Sequence, residues 1–390
     1  MQAGIIVLML AFVMSQFYRA FLAVLAPALQ RDLGVNAEDL ASASGLWFLV
    51  FALFQLPVGW ALDRVGPRLT AGVLFSVAGG GGALLFAMAQ GAWTLKLAML
   101  LLGIGCSPVL MANYFIIARV YSPAVFGTVA GVMVGTGNLG NIGASLPMAM
   151  AVEAMGWRGA VLVLTALTLA IAAGILILVR DPPPLETRER GSVLDLLKLR
   201  ALWFIIPMMM VCYFPAAAIR GLWIGPLYSI VYGAGTEVIG VVTLVMGIAM
   251  VLGNFAYGPM ERLFHSRKWP AFIGNLVALA CLLALWAFPL SGEVAIGLAM
   301  AGLGFFGAAF PLMIAHARAL FPAHLVGRGV SLMNLFSLGA VGVAQIWSSV
   351  IYRNAAKVPS EAPFTAIFGW FAIVVVLGLC IYLFARDRTD

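Results

Sequence analysis

Apolar runs long enough to cross a bilayer recur from one end of the chain to the other, and this repetition decides the solvent in which it folds. A hydrocarbon core is spanned by about twenty helical residues. None of the runs alternates with the period of two that a lipid-facing β-strand needs, so a helical bundle is expected rather than a barrel. Twelve segments are expected, at 4–29, 42–62, 70–90, 95–118, 127–150, 158–179, 201–230, 238–258, 271–290, 294–317, 330–351 and 364–385. With 63% hydrophobic residues, 9% charged and a mean hydropathy of +1.07, the chain lacks the polar surface of a water-soluble globule.

The first segment has no basic leader and is too long for the apolar core of a signal peptide. An uncleaved helix is therefore expected there, although Ala26–Ala28 imitates a cleavage site. Placed on twelve spans with both termini inside, fifteen of the twenty-two Lys and Arg residues fall on the cytoplasmic side and five outside. This bias sets the orientation and accounts for the net charge of +7 without nucleic acid. The expected location is a bacterial inner membrane. Cys106, Cys212, Cys281 and Cys380 lie inside apolar segments without C-x-x-C spacing and read as packing residues.

A shift of 199 residues brings Pro27 onto Pro226, Gly34 onto Gly233, Glu38 onto Glu237 and Gly59 onto Gly258. At the same shift Gly103, Gly105, Arg119 and Pro123 meet Gly302, Gly304, Arg318 and Pro322. So many matches at one offset indicate two six-helix halves, residues 1–180 and 201–390. Residues 181–200, with Pro182–Pro184 and mixed charge, read as a cytoplasmic linker in which Val193–Leu199 could form a short interfacial helix.

After the second segment the chain reads Gly59-Trp-Ala-Leu-Asp63-Arg64-Val-Gly66-Pro67-Arg68. This resembles the G-x-x-x-D-R-x-G-R-R signature of the major facilitator superfamily, with Pro67 in place of an arginine. A reduced copy, Gly258-Pro-Met-Glu261-Arg262, stands in the second half. The resemblance implies an all-α transporter of two pseudo-symmetric six-helix bundles. It also implies that Asp63 and Arg119 help latch the halves on the cytoplasmic side when the cavity opens outward. Gly59, Arg64, Gly66, Arg68, Glu261 and Arg262 belong to the same gating set, although a topology signal explains Arg64 and Arg68 equally well. Gly131, Gly135, Gly137, Gly140 and Gly143 make the fifth segment a close-packing surface, expected at the domain interface.

Arg19 and Arg220 interrupt the first and seventh segments. An arginine near the centre of a span costs about 2.5–3.5 kcal/mol on insertion scales and calls for a water-filled cavity or an anion. All fifteen acids, at 32, 38, 39, 63, 153, 181, 186, 189, 195, 237, 261, 293, 361, 387 and 390, lie in loops or at helix ends. The two arginines are thus expected to face an anion from solution, bound through the guanidinium fork. In the superfamily the first and seventh helices line the central cavity, and relatives that carry phosphorylated solutes or oxalate use basic residues there. Under the repeat Arg19 meets Ala218 rather than Arg220, a two-residue mismatch that local unwinding near Pro215 would absorb.

Tyr213, Arg220 and Trp223 fall on one helical stripe. Gln16, Tyr18, Asn113, Tyr114, Asn141 and Asn334 are further candidate contacts. His316 reads as a packed or interfacial residue, and the missing midplane acid favours exchange, uniport or anion-assisted symport. The expected function is thus secondary active or facilitative transport of a small organic anion, a carboxylate or phosphate-bearing metabolite. The expected partners are that solute and the lipid bilayer, for a monomer that needs no cofactor and holds no metal.

Three other readings compete. A neutral or aromatic metabolite, vitamin or drug would use Trp223, Tyr213 and Tyr114 as stacking surfaces. A copper importer would use Met208–Met210, Met246 and Met250, although two arginines would repel the ion. A non-transporting sensor on the same fold has no appended domain to support it. No nucleophile, base and acid converge in a motif, so an enzyme is not expected.

Overall fold

A computed structural model describes residues 2–120, 123–181, 196–322, 325–355 and 358–387, and every regular element among them is helical. Among the described residues ten helices are long and apolar enough to cross a membrane, and a bent pair, taken as one span, makes an eleventh. The protein is an integral membrane protein. It divides into two compact units, residues 1–186 with 235–241, and residues 187–234 with 242–390.

The bent pair is the first segment, which is not the single helix expected. It consists of α1 (Gln2–Tyr18) and α2 (Phe21–Leu33), turned by 49° at Arg19 and Ala20. There the Ala20 N–H reaches back only to Phe17 O, at 3.0 Å, so the ladder is interrupted where the polar residues fall. Unit 1 continues through α3 (Ala37–Arg64), α4 (Pro67–Val73), a π-helical stretch (Leu74–Gly80), α5 (Gly81–Ala87) and α6 (Ala92–Val120). It ends with α7 (Pro123–Gly143) and α8 (Leu146–Leu178). The expected fifth segment is divided at Ala144 and Ser145. α8 is itself two helical stretches joined at Gly156 (φ 73°, ψ 161°), close to the expected change of segment.

The seventh segment departs furthest from a regular helix. A 3-10 turn (Arg200–Phe204) leads into α9 (Ile206–Val211), α10 (Phe214–Ala218), a π-helical turn (Ile219–Trp223) and α11 (Ile224–Val231). Pro215 has no N–H and its ring crowds the carbonyl four residues earlier, which is that of Val211, the last residue of α9. The π-turn then takes up one more residue than an α-turn, so the Tyr213–Arg220–Trp223 stripe is not kept. Unit 2 is completed by α12 (Thr236–Phe264), which it holds from Val242 onward, α13 (Lys268–Ala287), α14 (Glu293–Phe306), α15 (Phe310–Arg318), α16 (Val326–Asn354) and α17 (Ala362–Tyr382). The linker residues 182–195 lie outside the described ones.

Small residues set the close approaches inside unit 1. A Cβ at Gly140 would strike Val13 O and one at Gly137 would strike the Phe12 ring, so the glycine stripe of α7 serves α1 within the same unit. A Cβ at Gly103 would come within 2.6 Å of Trp47 O, which fixes α6 against the middle of α3. Backbone angles also match across the 199-residue shift. Gly34 and Gly233 both take a positive φ (63° and 66°), as do Gly66 and His265 (96° and 47°).

Candidate substrate site

In unit 1, Arg19 occupies the break between α1 and α2 and is half-buried. Its guanidinium carbon lies 4.9 Å from the centroid of Phe51 and 5.5 Å from that of Trp47. These two rings, one helical turn apart on α3, stack at 5.0 Å with an interplanar angle of 18°, forming one aromatic wall. A cation over such faces gains about 0.5–1 kcal/mol when exposed and about 2 when desolvated. Trp47 is fully buried, and its indole Nε1 has no hydrogen-bond partner.

In unit 2, Arg220 is only 4% exposed and lies within the π-turn. Its guanidinium rests on the bare backbone of Gly247 in α12: a Cβ there would stand 2.8 Å from Nη2 and 3.0 Å from Nε. The fold has left out a side chain where the guanidinium is seated. The carbonyl just before the π-turn, Ala218 O, accepts from Gln345 Nε2 at 3.1 Å. Gln345 thereby holds α16 against the turn that carries Arg220.

The other candidate contacts separate into two groups. The Tyr18 hydroxyl is spent on Thr168 Oγ1 at 2.9 Å, and Trp223 donates to Ser348 Oγ at 3.0 Å while packing on Tyr352 and Phe364. Asn113 donates to Leu8 O and Val109 O, both at 2.9 Å, tying α6 to α1. These three side chains hold helices together. Tyr114, Asn141, Tyr213 and Asn334 are half-buried, and Gln16 is buried beside the break. Tyr213 packs near Phe310, with ring centroids 6.2 Å apart.

The residues expected to gate lie at or near helix ends. Asp63 and Arg64 are exposed, with Arg64 over the Trp60 ring, and Gly59 faces Met111. Gly66 is required: besides its positive φ, a Cβ there would stand 2.7 Å from the Asp181 carboxyl carbon. That carboxylate accepts from the Arg68 N–H at 2.8 Å, capping α4, while Arg68 Nε donates to Leu176 O at 2.6 Å. Arg119 covers the Phe115 ring at 3.8 Å.

In unit 2, Glu261 pairs with Arg267 at 2.7 Å, and both line a cavity of about 500 Å³ with Arg318. The Arg262 side chain lies outside the described ones. Asp387 repeats the role of Asp181, accepting from Ser266 Oγ and from the Arg267 and Lys268 N–H groups at the start of α13. His316 is fully buried, with Nδ1 facing the Tyr382 hydroxyl at 2.7 Å and Nε2 facing Arg386 O at 2.8 Å. Both ring nitrogens are engaged in packing α15 to α17. Among the described residues no group of three or more His, Cys, Asp or Glu could hold a metal.

The sequence of this frame carries a family mark that covers most of its length. The family model of the Major Facilitator Superfamily matches residues 8–344. The chain belongs to the major facilitator superfamily. Two solved structures share its fold at 15% identity. One is a D-xylose-proton symporter (TM-score 0.79, covering 100% of this chain and 99% of that one). The other is a bacterial homolog of the human lysosomal transporter Spinster, inward-facing and occupied (TM-score 0.76, 98% and 96%). No curated protein sequence matches the chain. Superfamily members are carriers that move small molecules, so this protein is a secondary transporter and not an enzyme.

Within this superfamily member, sequence reasoning missed Trp47, Phe51, Gly247, Asp181 and Asp387. The spacing of Trp47 and Phe51, one turn apart in the middle of a span, is a signal that could have drawn attention to them. Gly247 had a weaker one: it stands where the 199-residue shift puts Phe48 in the first half.

Proposed function

We propose that this chain transports a small organic anion, a carboxylate or phosphate-bearing metabolite, by alternating access. Arg19 and Arg220 take the charge, and Gln16, Tyr114, Asn141, Tyr213 and Asn334 supply further polar contacts. The observation that supports this reading best is Arg220, a guanidinium 4% exposed and seated on a glycine where any larger residue would displace it. Every Asp and Glu among the described residues lies within about one turn of a helix end, so the fixed charge deep in the apolar segments is cationic in both units. A guanidinium fork binds carboxylate or phosphate through two parallel hydrogen bonds.

The same proposal takes twelve spans in two halves, residues 1–180 and 201–390, joined by a cytoplasmic linker at 181–200. Both termini are inside and the carrier is a monomer. Asp63, Arg119 and the loop around Gly59, Arg64, Gly66 and Arg68 form the gate of the first half, with Glu261 and Arg262 their counterparts.

A thermal-shift screen of the purified protein against carboxylates, phosphate esters, copper and neutral aromatics tests the reading. Stabilisation by anions that disappears in Arg19→Ala and in Arg220→Ala is the expected result. Anion stabilisation unchanged in both variants, or stabilisation by copper or neutral aromatics alone, overturns it.

A further inference from the structure

The aromatic wall beside Arg19 carries a second polar feature besides the guanidinium. Trp47 is 0% exposed, yet its indole N–H has no acceptor, and a buried donor left unmade is costly. Folds satisfy nearly all such groups, so each exception calls for a partner, and one beside a guanidinium is placed to find it in an anion. The indole nitrogen belongs to the same ring whose face lies 5.5 Å from the Arg19 guanidinium carbon.

We infer that Trp47 is a specificity-determining residue of the transporter: its indole N–H and the Arg19 guanidinium together hold a carboxylate of the substrate, against the wall formed with Phe51. This rests on the anion reading above and narrows it. The donor set selects the class. Within the apolar segments of residues 1–180 the sequence supplies one guanidinium, Arg19, the other basic residues lying at segment ends. A guanidinium fork and one indole N–H suit the two oxygens of a planar carboxylate, whereas a phosphate monoester brings three acceptor oxygens and would leave one without a donor from this wall. The stacked pair gives the guanidinium a fixed seat from which its planar fork can present itself to a planar carboxylate.

The test uses the full-length, detergent-solubilised protein labelled with ¹⁵N-tryptophan, whose ten indole N–H resonances are observed during titration with acetate, lactate, benzoate and phenyl phosphate. Trp47→Phe assigns the Trp47 resonance and keeps an aromatic face against Phe51. The expected result is a Trp47 indole shift on adding a monocarboxylate, and an affinity for that carboxylate about tenfold lower in Trp47→Phe. Phenyl phosphate should bind at least tenfold more weakly than benzoate. If carboxylates stabilise the protein in an Arg19-dependent way while the Trp47 resonance stays still, the inference falls and the anion reading stands. Phenyl phosphate binding as tightly as benzoate has the same consequence. If none of the four probes binds, both fall.

Discussion

The two units seat an arginine in different ways. In the first, Arg19 sits at a 49° break between two helices, half-buried, with its guanidinium against the faces of Trp47 and Phe51. In the second, Arg220 sits in a π-turn of a segment that stays buried, and its guanidinium lies on Gly247. Both lean on the helix that follows their own, at positions the 199-residue shift brings together: Trp47 and Phe51 correspond to Met246 and Met250, and Gly247 falls between them. One unit holds its cation by attraction to aromatic faces and the other by leaving room for it. The difference teaches that Arg220 bears the larger desolvation while Arg19 is steadied by its wall; under the proposed reading the anion therefore matters more at Arg220.

The largest effect expected from this contrast is at Arg220. Arg220→Ala should weaken carboxylate binding by about 2–5 kcal/mol, as removal of one partner of a buried charge contact does, measured by titration calorimetry. An effect smaller than that of Arg19→Ala would break the comparison.

Next comes Gly247→Ala. The atoms that a new Cβ meets are the far end of a flexible side chain, so the guanidinium shifts and the helix packing does not. Carboxylate affinity should fall about tenfold with little change in melting temperature. A collapse of stability with affinity retained would show that Gly247 serves helix packing.

Arg19→Lys should be milder, about 0.5–2 kcal/mol in affinity, because an ammonium keeps the charge but loses the planar fork. Arg220→Lys tests the same loss without the aromatic wall.

The smallest effects belong to the caps that the units share. Asp181→Asn and Asp387→Asn should each cost about 1 kcal/mol of thermal stability. Burial alone would raise the Asp387 pKa, but hydrogen bonds from Ser266 and from the Lys268 and Arg267 N–H groups hold it below the usual carboxylate range. A carboxylate whose folded pKa is depressed stabilises above its unfolded value of about 3.9, and that contribution is lost as pH falls through the lower folded value. The melting temperatures of wild type and Asp387→Asn should therefore differ by a constant amount near neutrality and converge below about pH 4. Convergence at alkaline pH instead would exclude the cap.

The helical membrane architecture was legible because it rests on long apolar runs, and the arginines stood out because they interrupt them. The irregular turns beneath them were not. Nothing in Tyr18-Arg19-Ala20 is a helix breaker by composition. Pro215 forecast a fault in the seventh segment, but the π-turn that follows and turns Trp223 into the core of its unit left no sign of its own.

The glycines of α7 announced a close approach without naming the partner, which is α1 within the same unit. Trp47 and Phe51 looked like ordinary filling of an apolar helix. Asp181 looked like the first acid of a linker, since its role depends on α4 returning to it from 113 residues away. What stayed hidden in each case is a contact between distant segments, which periodicity cannot express.

The central proposal is that binding of the substrate anion depends on each of the two arginines. Titration calorimetry of the monocarboxylate that stabilises the purified wild type most, repeated on Arg19→Ala and Arg220→Ala, tests it most directly. The account predicts that each substitution alone weakens binding by at least tenfold, with the greater loss at Arg220. Wild-type affinity in both variants would contradict it.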